Sequence, residues 1–383
     1  MKPNFATFFS DLALIRRHIH ENPELSFQEF KTQALVKQYL IDQVGIPSGN
    51  IRECATTGLV VDIFGPSDGP STSPLTCIAF RGDMDALPMT ESNPQLPHAS
   101  NVPGAAHMCG HDGHTASLMG FGSLVFQRRH LLPAHTFVRL LFQPAEEGHF
   151  GAPAMIKEGC LDSVDEVYGY HNFPFPLGTI GVKSGPMMAH AAFFTIHING
   201  PGGHGSAPHF TKDPIVAAAQ VITAMQTIVS RNLSAHDAAV VSITQVHGGE
   251  ADNVIPSNVR LSGTLRDFSP SVASTVEQRM RDILKHTCAA YGVEGELIIH
   301  DKYPVLVNPK DTTAIVQNIG KRVVGADSVS SKGLPVSGSE DFSYFLQERP
   351  GCYFFVGTID EAHSQSRNCH SDAVRTLSWF LWW

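Results

Sequence analysis

Cys109 and His111 stand two residues apart in CGHDGH, the adjacent pair Glu146 and Glu147 lies in QPAEE, and His171 follows in YGYHNFP. A thiolate, imidazoles and carboxylates form a mixed sulfur, nitrogen and oxygen donor set, which suits a borderline transition metal. On a turn, a Cys-x-His pair can direct both side chains at one ion, whereas on an α-helix that spacing points them apart. Two neighbouring glutamates leave one carboxylate to ligate and one to act as general base. Paired metals sharing a water would lower its pKa and clamp the oxygen of a carbonyl under attack. A second chemistry uses the same residues differently, with Cys109 as nucleophile and His111 as its base. Each signal is weak alone. The chain has 20 histidines, so a Cys-x-His pair is more often packing than a ligand pair, and adjacent glutamates usually face solvent.

What raises these residues together is the placement the surrounding elements give them. Short apolar runs at 59–64, 75–80, 137–142 and 167–170 are separated by helix-length segments, which predicts a largely parallel sheet covered by helices. The run 137–142 leads into QPAEE, the run 167–170 leads straight into His171, and CGHDGH opens an apolar helix for which Asp112 suits the N-cap. In open α/β sheets, sites form in the crevice beyond the carboxyl ends of the strands. Upstream, helical spacing covers 5–20, and Ser26 with Glu29 spells a capping box for a second helix ending near Gly45.

From about Met188 the rhythm changes. Strands are predicted at 190–199, 238–246, 258–266 and 295–300, with helices at 214–232 (Asp213 as N-cap) and 270–291. The order β-α-β-β-α-β is the ferredoxin-like pattern. The expected organisation is therefore a catalytic domain over 1–187 and 302–383, interrupted by a small domain at 188–301. Strand 352–356 lies near the end, and Ser337 with Glu340 spells another capping box, so Glu340 is read as structural.

Composition excludes several classes. At 383 residues, with 42% apolar residues, the chain can bury a large core. No stretch approaches the roughly 18 apolar residues of a membrane span, and the charged N-terminal region does not read as a secretory signal. A net charge of -9 without Lys/Arg runs speaks against nucleic acid. Seven scattered cysteines without a CxxC pair read as reduced cytosolic cysteine. The expected location is cytoplasmic.

RGDMDALPM (81–89), HMCGHDGHTASLMG (107–120), LLFQPAEEG (140–148), YGYHNFP (168–174), GPGGHGSAPH (200–209) and SGSEDFSYF (337–345) closely resemble the amidohydrolase branch of the aminoacylase/carboxypeptidase metallopeptidases. That branch includes hippurate hydrolases, auxin-conjugate amidohydrolases and N-acetyl-diaminopimelate deacetylases. The resemblance runs collinearly from about residue 10 to His370. It implies a zinc-exopeptidase-like α/β/α catalytic domain with an inserted ferredoxin-like dimerisation domain. It also implies two divalent metal ions (zinc or manganese, with cobalt or nickel as alternatives) held by Cys109, His111, Glu147, His171 and His370. Glu146 would be the base. Where sister branches carry His-x-Asp, this chain reads Asp83-Met84-Asp85. Asp85 then either orients a ligand from behind or caps the following turn. His204, in the Gly-rich GPGGHG turn, would reach the partner subunit's site and polarise the carbonyl oxygen. Asn253 and Arg266 would bind the substrate carboxylate. His107 and His114 would support the site, and His149 would be solvated. The implied reaction is hydrolysis of N-acyl amino acids, a small-molecule substrate, by a homodimer. A small-peptide carboxypeptidase or dipeptidase, and a metal-binding but inactive dimer, are the alternatives.

The last 13 residues, SDAVRTLSWFLWW, depart from the acidic and aromatic stretch and final helix that the resemblance leads one to expect. They read as a truncated or altered end. Three tryptophans and a phenylalanine within five residues would expose apolar surface unless they pack.

Overall fold

The computed structural model describes residues 5–66, 76–93 and 96–359. The chain divides into two units, one made of 1–187, 307–334 and 341–383, the other of 188–306 and 335–340. The first unit opens with α1 (Phe5–Glu21) and α2 (Phe30–Gln38), then β1 (Ile51–Cys54), β2 (Gly58–Phe64) and β3 (Thr76–Asp83). It continues with α3 (His111–Gln127), β4 (Thr136–Gln143), α4 (Gly151–Lys157), β5 (Glu166–Pro176), β6 (Ile180–Gly181) and β7 (Gly185–Met188). The second unit contains β8 (His190–Asn199), β9 (Gly203–His204), α5 (Pro214–Met225), β10 (Ala239–His247), β11 (Val254–Ile255), β12 (Asn258–Asp267), α6 (Pro270–Tyr291) and β13 (Glu294–Tyr303). After β14 (Leu306–Asn308) come α7 (Lys310–Val324), β15 (Val329–Ser330), α8 (Phe342–Glu348) and β16 (Gly351–Ile359).

The first unit is built on an eight-stranded sheet in the order β1-β2-β4-β3-β5-β16-β6-β15. Its centre is parallel: β4 with β3, β3 with β5, and β5 with β16. β1 and β2 extend it as antiparallel strands. The central strands are apolar and mostly buried, as a sheet covered on both faces requires. α1 and α3 close one region of core by packing Leu12, Leu118 and Met119 with Leu140 of β4.

The second unit is a four-stranded antiparallel sheet, β10-β12-β8-β13. Strands alternate between buried and half-exposed residues, most plainly along β12. α5 and α6 cover one face through Val221, Met225, Met280 and Leu284. The connection order is β-α-β-β-α-β, with the short β9/β11 ladder added in the loops. Asp213 does cap α5, accepting from the Ile215 N–H at 2.8 Å.

Local expectations fail at three helix starts and one strand end. The Ser26/Glu29 box does not form: Ser26 donates to Asp85 and Glu29 accepts from the Thr57 hydroxyl. α2 ends at Gln38, and a π-turn over Tyr39–Val44 carries the chain to Gly45. Asp112 is not the N-cap of α3; Gly110 holds that position, and the Asp112 carboxylate turns to His20 at 2.9 Å. α8 begins at Phe342 with Asp341 at its N-cap, so Ser337 does not hold the N-cap position. β5 continues to Pro176, which places His171 within the strand. At Ser26, Glu29 and Asp112 a buried partner distant in sequence outcompetes the local hydrogen bond.

No helix among the described residues is long and apolar enough to cross a membrane. The six described cysteines are buried and none forms a disulfide.

Candidate metal centre

Parallel pairing sets β3 and β4 with Asp83 opposite Gln143, and β3 against β5 with Arg81 opposite Gly169. The segments leaving these strand ends therefore emerge side by side, and the start of α3 meets them. Between Cys109 and His111, Gly110 adopts φ +89, and a Cβ there would lie 2.6 Å from the Asn172 side chain. Only glycine fits this left-handed, crowded joint, which turns the cysteine and histidine to the same side.

Cys109, His111 and His171 bring their donor atoms within 4.8 Å of one another, and so do His111, Glu146 and Glu147. His111 belongs to both sets. Cys109 Sγ lies 3.3 Å from His171 Nε2. Cys109, His111, Glu146 and His171 are buried, and Glu147 is half-buried.

The imidazoles are held from behind. His111 Nδ1 donates to the Asp85 carbonyl at 2.9 Å and faces the Asp85 carboxylate at 3.3 Å. His171 Nδ1 donates to the Asn172 carbonyl at 2.5 Å. A carbonyl can only accept, so both rings keep their proton on Nδ1 when neutral and turn the Nε2 lone pair into the cluster. His111 Nε2 is buried without a hydrogen-bond partner among the described residues. An orphaned ring nitrogen beside a thiol and carboxylates fits a cation.

Asp85 is the hub of this shell. Its carboxylate accepts from the backbone N–H groups of Glu146 (3.1 Å) and Glu147 (3.0 Å) and from the Ser26 hydroxyl (2.7 Å). The preceding Ala145 sits at φ +56, outside the usual range for alanine, and its N–H is held by Glu29 at 2.9 Å. The strained turn thus fixes the backbone from which both glutamates project.

Burial and charge compete throughout. Burial alone would lower the His111 pKa, but Asp83 and Asp85 outweigh it and raise it to about 10. Burial raises Glu147 to about 8, only partly offset by His111. Burial and the neighbouring His114 hold His171 well below the usual imidazole range. Burial opposes the charge on Asp83, yet Arg81, His111 and His114 keep its carboxyl well below normal. In effect, protons on His111 and Glu147 occupy a place where positive charge is favoured.

His114 takes Asp83 at 2.6 Å through Nδ1 and accepts the Asn172 N–H at 3.0 Å through Nε2. It supports the backbone beside His171. His107 is buried beside His20, their ring centroids 6.3 Å apart, and His149 is exposed. Cys109 Sγ lies 3.3 Å from His171, and a His111 ring nitrogen lies within 4.8 Å of it as well. With its pKa depressed, His171 offers no imidazolium to stabilise a thiolate.

Sequence reasoning missed two supports. Asp341 accepts from Arg81 (3.1 Å), Gln143 Nε2 (2.8 Å) and the Ala152 N–H (2.9 Å), all buried. Asp112 pairs with His20, with Arg16 at 3.6 Å. Nothing in local spacing marks these, since the partners lie 260 and 92 positions apart.

In the second unit, His204 is exposed on β9 and its Nδ1 accepts from Ser206. The β9/β11 ladder and the Gly205 N–H to Asn253 carbonyl bond (2.7 Å) bring exposed Asn253 beside it. Arg266 is half-buried on β12, hydrogen-bonded to the Leu265 carbonyl at 2.7 Å, and lines a hollow with His190 and Asp267. His370 lies outside the described residues.

The family model of peptidase family M20/M25/M40 matches residues 79–379. The chain belongs to this family. It is 39% identical to an N-acetyl-L-cysteine deacetylase of Bacillus subtilis (strain 168), covering 99% of this chain and 88% of the relative. An IAA-amino acid hydrolase of Arabidopsis thaliana is 35% identical over 96% of this chain and 81% of its own. Among solved structures, a dinuclear metal binding peptidase of the same family from Bacillus subtilis superposes with a TM-score of 0.80 at 34% identity, covering 98% of this chain and 95% of that one. A putative aminohydrolase from methicillin-resistant Staphylococcus aureus gives 0.85 at 32% identity, with 98% and 94% covered. The chain is thus a hydrolase of this metallopeptidase family, and every residue of the cluster falls inside the matched segment.

Proposed function

We propose that this hydrolase cleaves the amide bond of N-acyl amino acids, using two divalent cations held by Cys109, His111, Glu147, His171 and His370. The observation that carries the reading is the buried convergence of Cys109, His111 and His171 with Glu146 and Glu147, the imidazoles turned inward. The similar deacetylase and IAA-amino acid hydrolase, by their names, act on an acyl group joined to an amino acid.

Bound cations supply Lewis acidity at the amide carbonyl and acidify the attacking water. Glu146 takes the proton of that water and delivers it to the leaving amine. Asp85 holds the backbone of Glu146 and Glu147, so base and ligand keep their separation while the proton moves. Arg266 and Asn253 bind the substrate carboxylate, for which a guanidinium is the fitting charge. Residues 188–301 form a homodimer, and His204 stabilises the developing oxyanion in the other subunit. The working compartment is the cytoplasm, where thiols stay reduced.

The test is hydrolysis of hippurate and a panel of N-acetyl amino acids after loading with zinc or manganese. Glu146→Gln should keep the cations and lose about 10²–10⁴-fold in kcat. Retained turnover would remove Glu146 as the base. A covalent acyl adduct on Cys109 together with chelator-insensitive activity would replace the metal reading with nucleophilic catalysis.

A further inference from the structure

A second carboxylate serves the turn that carries Glu146 and Glu147, and it comes from the start of α2. The Glu29 side chain is buried. Its Oε1 accepts the backbone N–H groups of Ala145 (2.9 Å) and Phe27 (3.0 Å), and its Oε2 accepts the Thr57 hydroxyl. α2 has no need of this carboxylate, because Glu24 takes the first-turn N–H groups of Lys31 (3.1 Å) and Thr32 (2.8 Å). The three segments that meet on Glu29 all depart from ordinary backbone. Phe27 (φ +60), Ala55 (φ +51), Thr56 (φ +68) and Ala145 (φ +56) are four of the seven non-glycine residues with left-handed backbone among the described residues. Such conformations persist only where the surroundings over-determine them, and they gather at functional sites. The turn through Thr57 has no slack either, since a Cβ on Gly58 would lie 2.8 Å from the Pro144 ring.

We propose that Glu29 is a positioning residue for Glu146: by holding the Ala145 N–H it fixes the left-handed turn that aims the general base. The proposal rests on the reading of Glu146 as that base. Asp85 takes the next two N–H groups, so three successive ones, at Ala145, Glu146 and Glu147, each meet a buried carboxylate. Glu29 thereby sets the direction in which the chain enters the turn, and Asp85 the spacing of base and ligand. What Glu29 supplies is reach and not charge. Oε1 accepts both N–H groups whether or not the carboxyl is ionised, and Oε2 meets a hydroxyl, which can either donate or accept. Burial lifts this carboxyl to about 7, with the Thr57 hydroxyl only partly offsetting it, so both forms are present at neutrality. The clamp works in either.

Two substitutions separate reach from charge. Glu29→Gln keeps the length and a carbonyl oxygen for the Ala145 N–H but loses the charge. Glu29→Asp keeps the charge and is one methylene too short. In the zinc-loaded full-length protein, with the N-acyl amino acid that turns over fastest, Glu29→Gln should retain kcat. Glu29→Asp should lose about 10²-fold in kcat with KM unchanged, as a displaced catalytic group does. In the metal-free protein, amide hydrogen exchange in peptides containing Ala145 should stay slow in Glu29→Gln and quicken in Glu29→Asp. Far-UV circular dichroism checks that each variant folds. Equal turnover in the two variants, or a loss in Glu29→Gln at least as large as in Glu29→Asp, would overturn the proposal. Unchanged exchange at Ala145 in Glu29→Asp would do the same. So would a further loss when Glu29→Asp is added to Glu146→Gln, since a residue acting through the base then has nothing left to position. Full turnover in Glu146→Gln alone would remove the base and this proposal with it, so failure of the reaction scheme and failure of the clamp are read in different variants.

Discussion

Replacing Asp85 by asparagine isolates what the buried carboxylate does, because the side chain keeps its shape and loses one acceptor. Oδ1 faces the Glu146 N–H and His111 Nδ1, and Oδ2 faces the Glu147 N–H and the Ser26 hydroxyl. The new amide must place its NH₂ against one of these pairs. If it faces Ser26, the hydroxyl can rotate to accept, but the Glu147 N–H is stranded. In the other orientation the Glu146 N–H is stranded. Either way one buried donor is left unsatisfied, at about 1–3 kcal/mol. The Asp85 carbonyl still holds the His111 ring at 2.9 Å, so its orientation survives while the charge behind it goes. Loss of such outer support costs about 10–100-fold in metal affinity. Zinc affinity should be measured by competition with a chromophoric chelator, and stability by urea unfolding of metal-free protein. Ser26→Ala is the control, removing one bond at about 1 kcal/mol with the carboxylate intact. Asp85→Asn binding zinc as tightly as the parent would refute the argument, whatever its stability.

Metal binding should release protons and tighten with rising pH, because metal-free His111 (about 10) and Glu147 (about 8) hold protons at neutrality. Calorimetry in buffers of different ionisation heat reads this directly, and a pH-independent affinity would contradict it. The buried His20–Asp112 pair predicts a stability plateau. Burial would depress His20, but Asp112 raises it from 6.5 to about 9, so its contribution is complete below about pH 6.5 and fades as pH rises through 9. Burial would raise Asp112, yet Arg16 and His20 hold it below the carboxylate range, so its contribution is lost on acidification below about pH 4. His20→Phe should abolish the alkaline limb, worth roughly 3 kcal/mol, in urea titrations across pH. Gly110→Ala should cost about 1–2 kcal/mol from the left-handed backbone alone. It should also weaken metal binding as Asn172 is displaced; full affinity would show that the joint tolerates a side chain.

The periodic parts of the fold were legible. Apolar runs marked β2 and β4, and Pro270 to Tyr291 coincides with α6, because these elements bury a repeating face that the chain writes locally. The cluster itself was legible only as candidates: CGHDGH and QPAEE name chemistry, but their approach depends on strand register. The failed caps at α2 and α3 share one cause. Ser26, Glu29 and Asp112 each have the right type for a cap, and each is drawn to a buried partner elsewhere. A local rule cannot see that competition, and the same holds for Asp341, whose three partners come from β3, β4 and α4.

The Asp341 contact also bears on the order in which the molecule can mature. Arg81 emerges from the ribosome 260 residues before the carboxylate that neutralises it alongside Asp83. At about 5–20 residues per second, that interval is on the order of tens of seconds. During it, the parallel sheet lacks β16 and the strand ends lack their tie, while 188–306 has every strand of its own sheet. The interrupting unit can therefore reach its final form first. The earliest part of the chain is among the last to be finished, leaving the strand ends beside Cys109, His111, Glu146 and Glu147 open for longest.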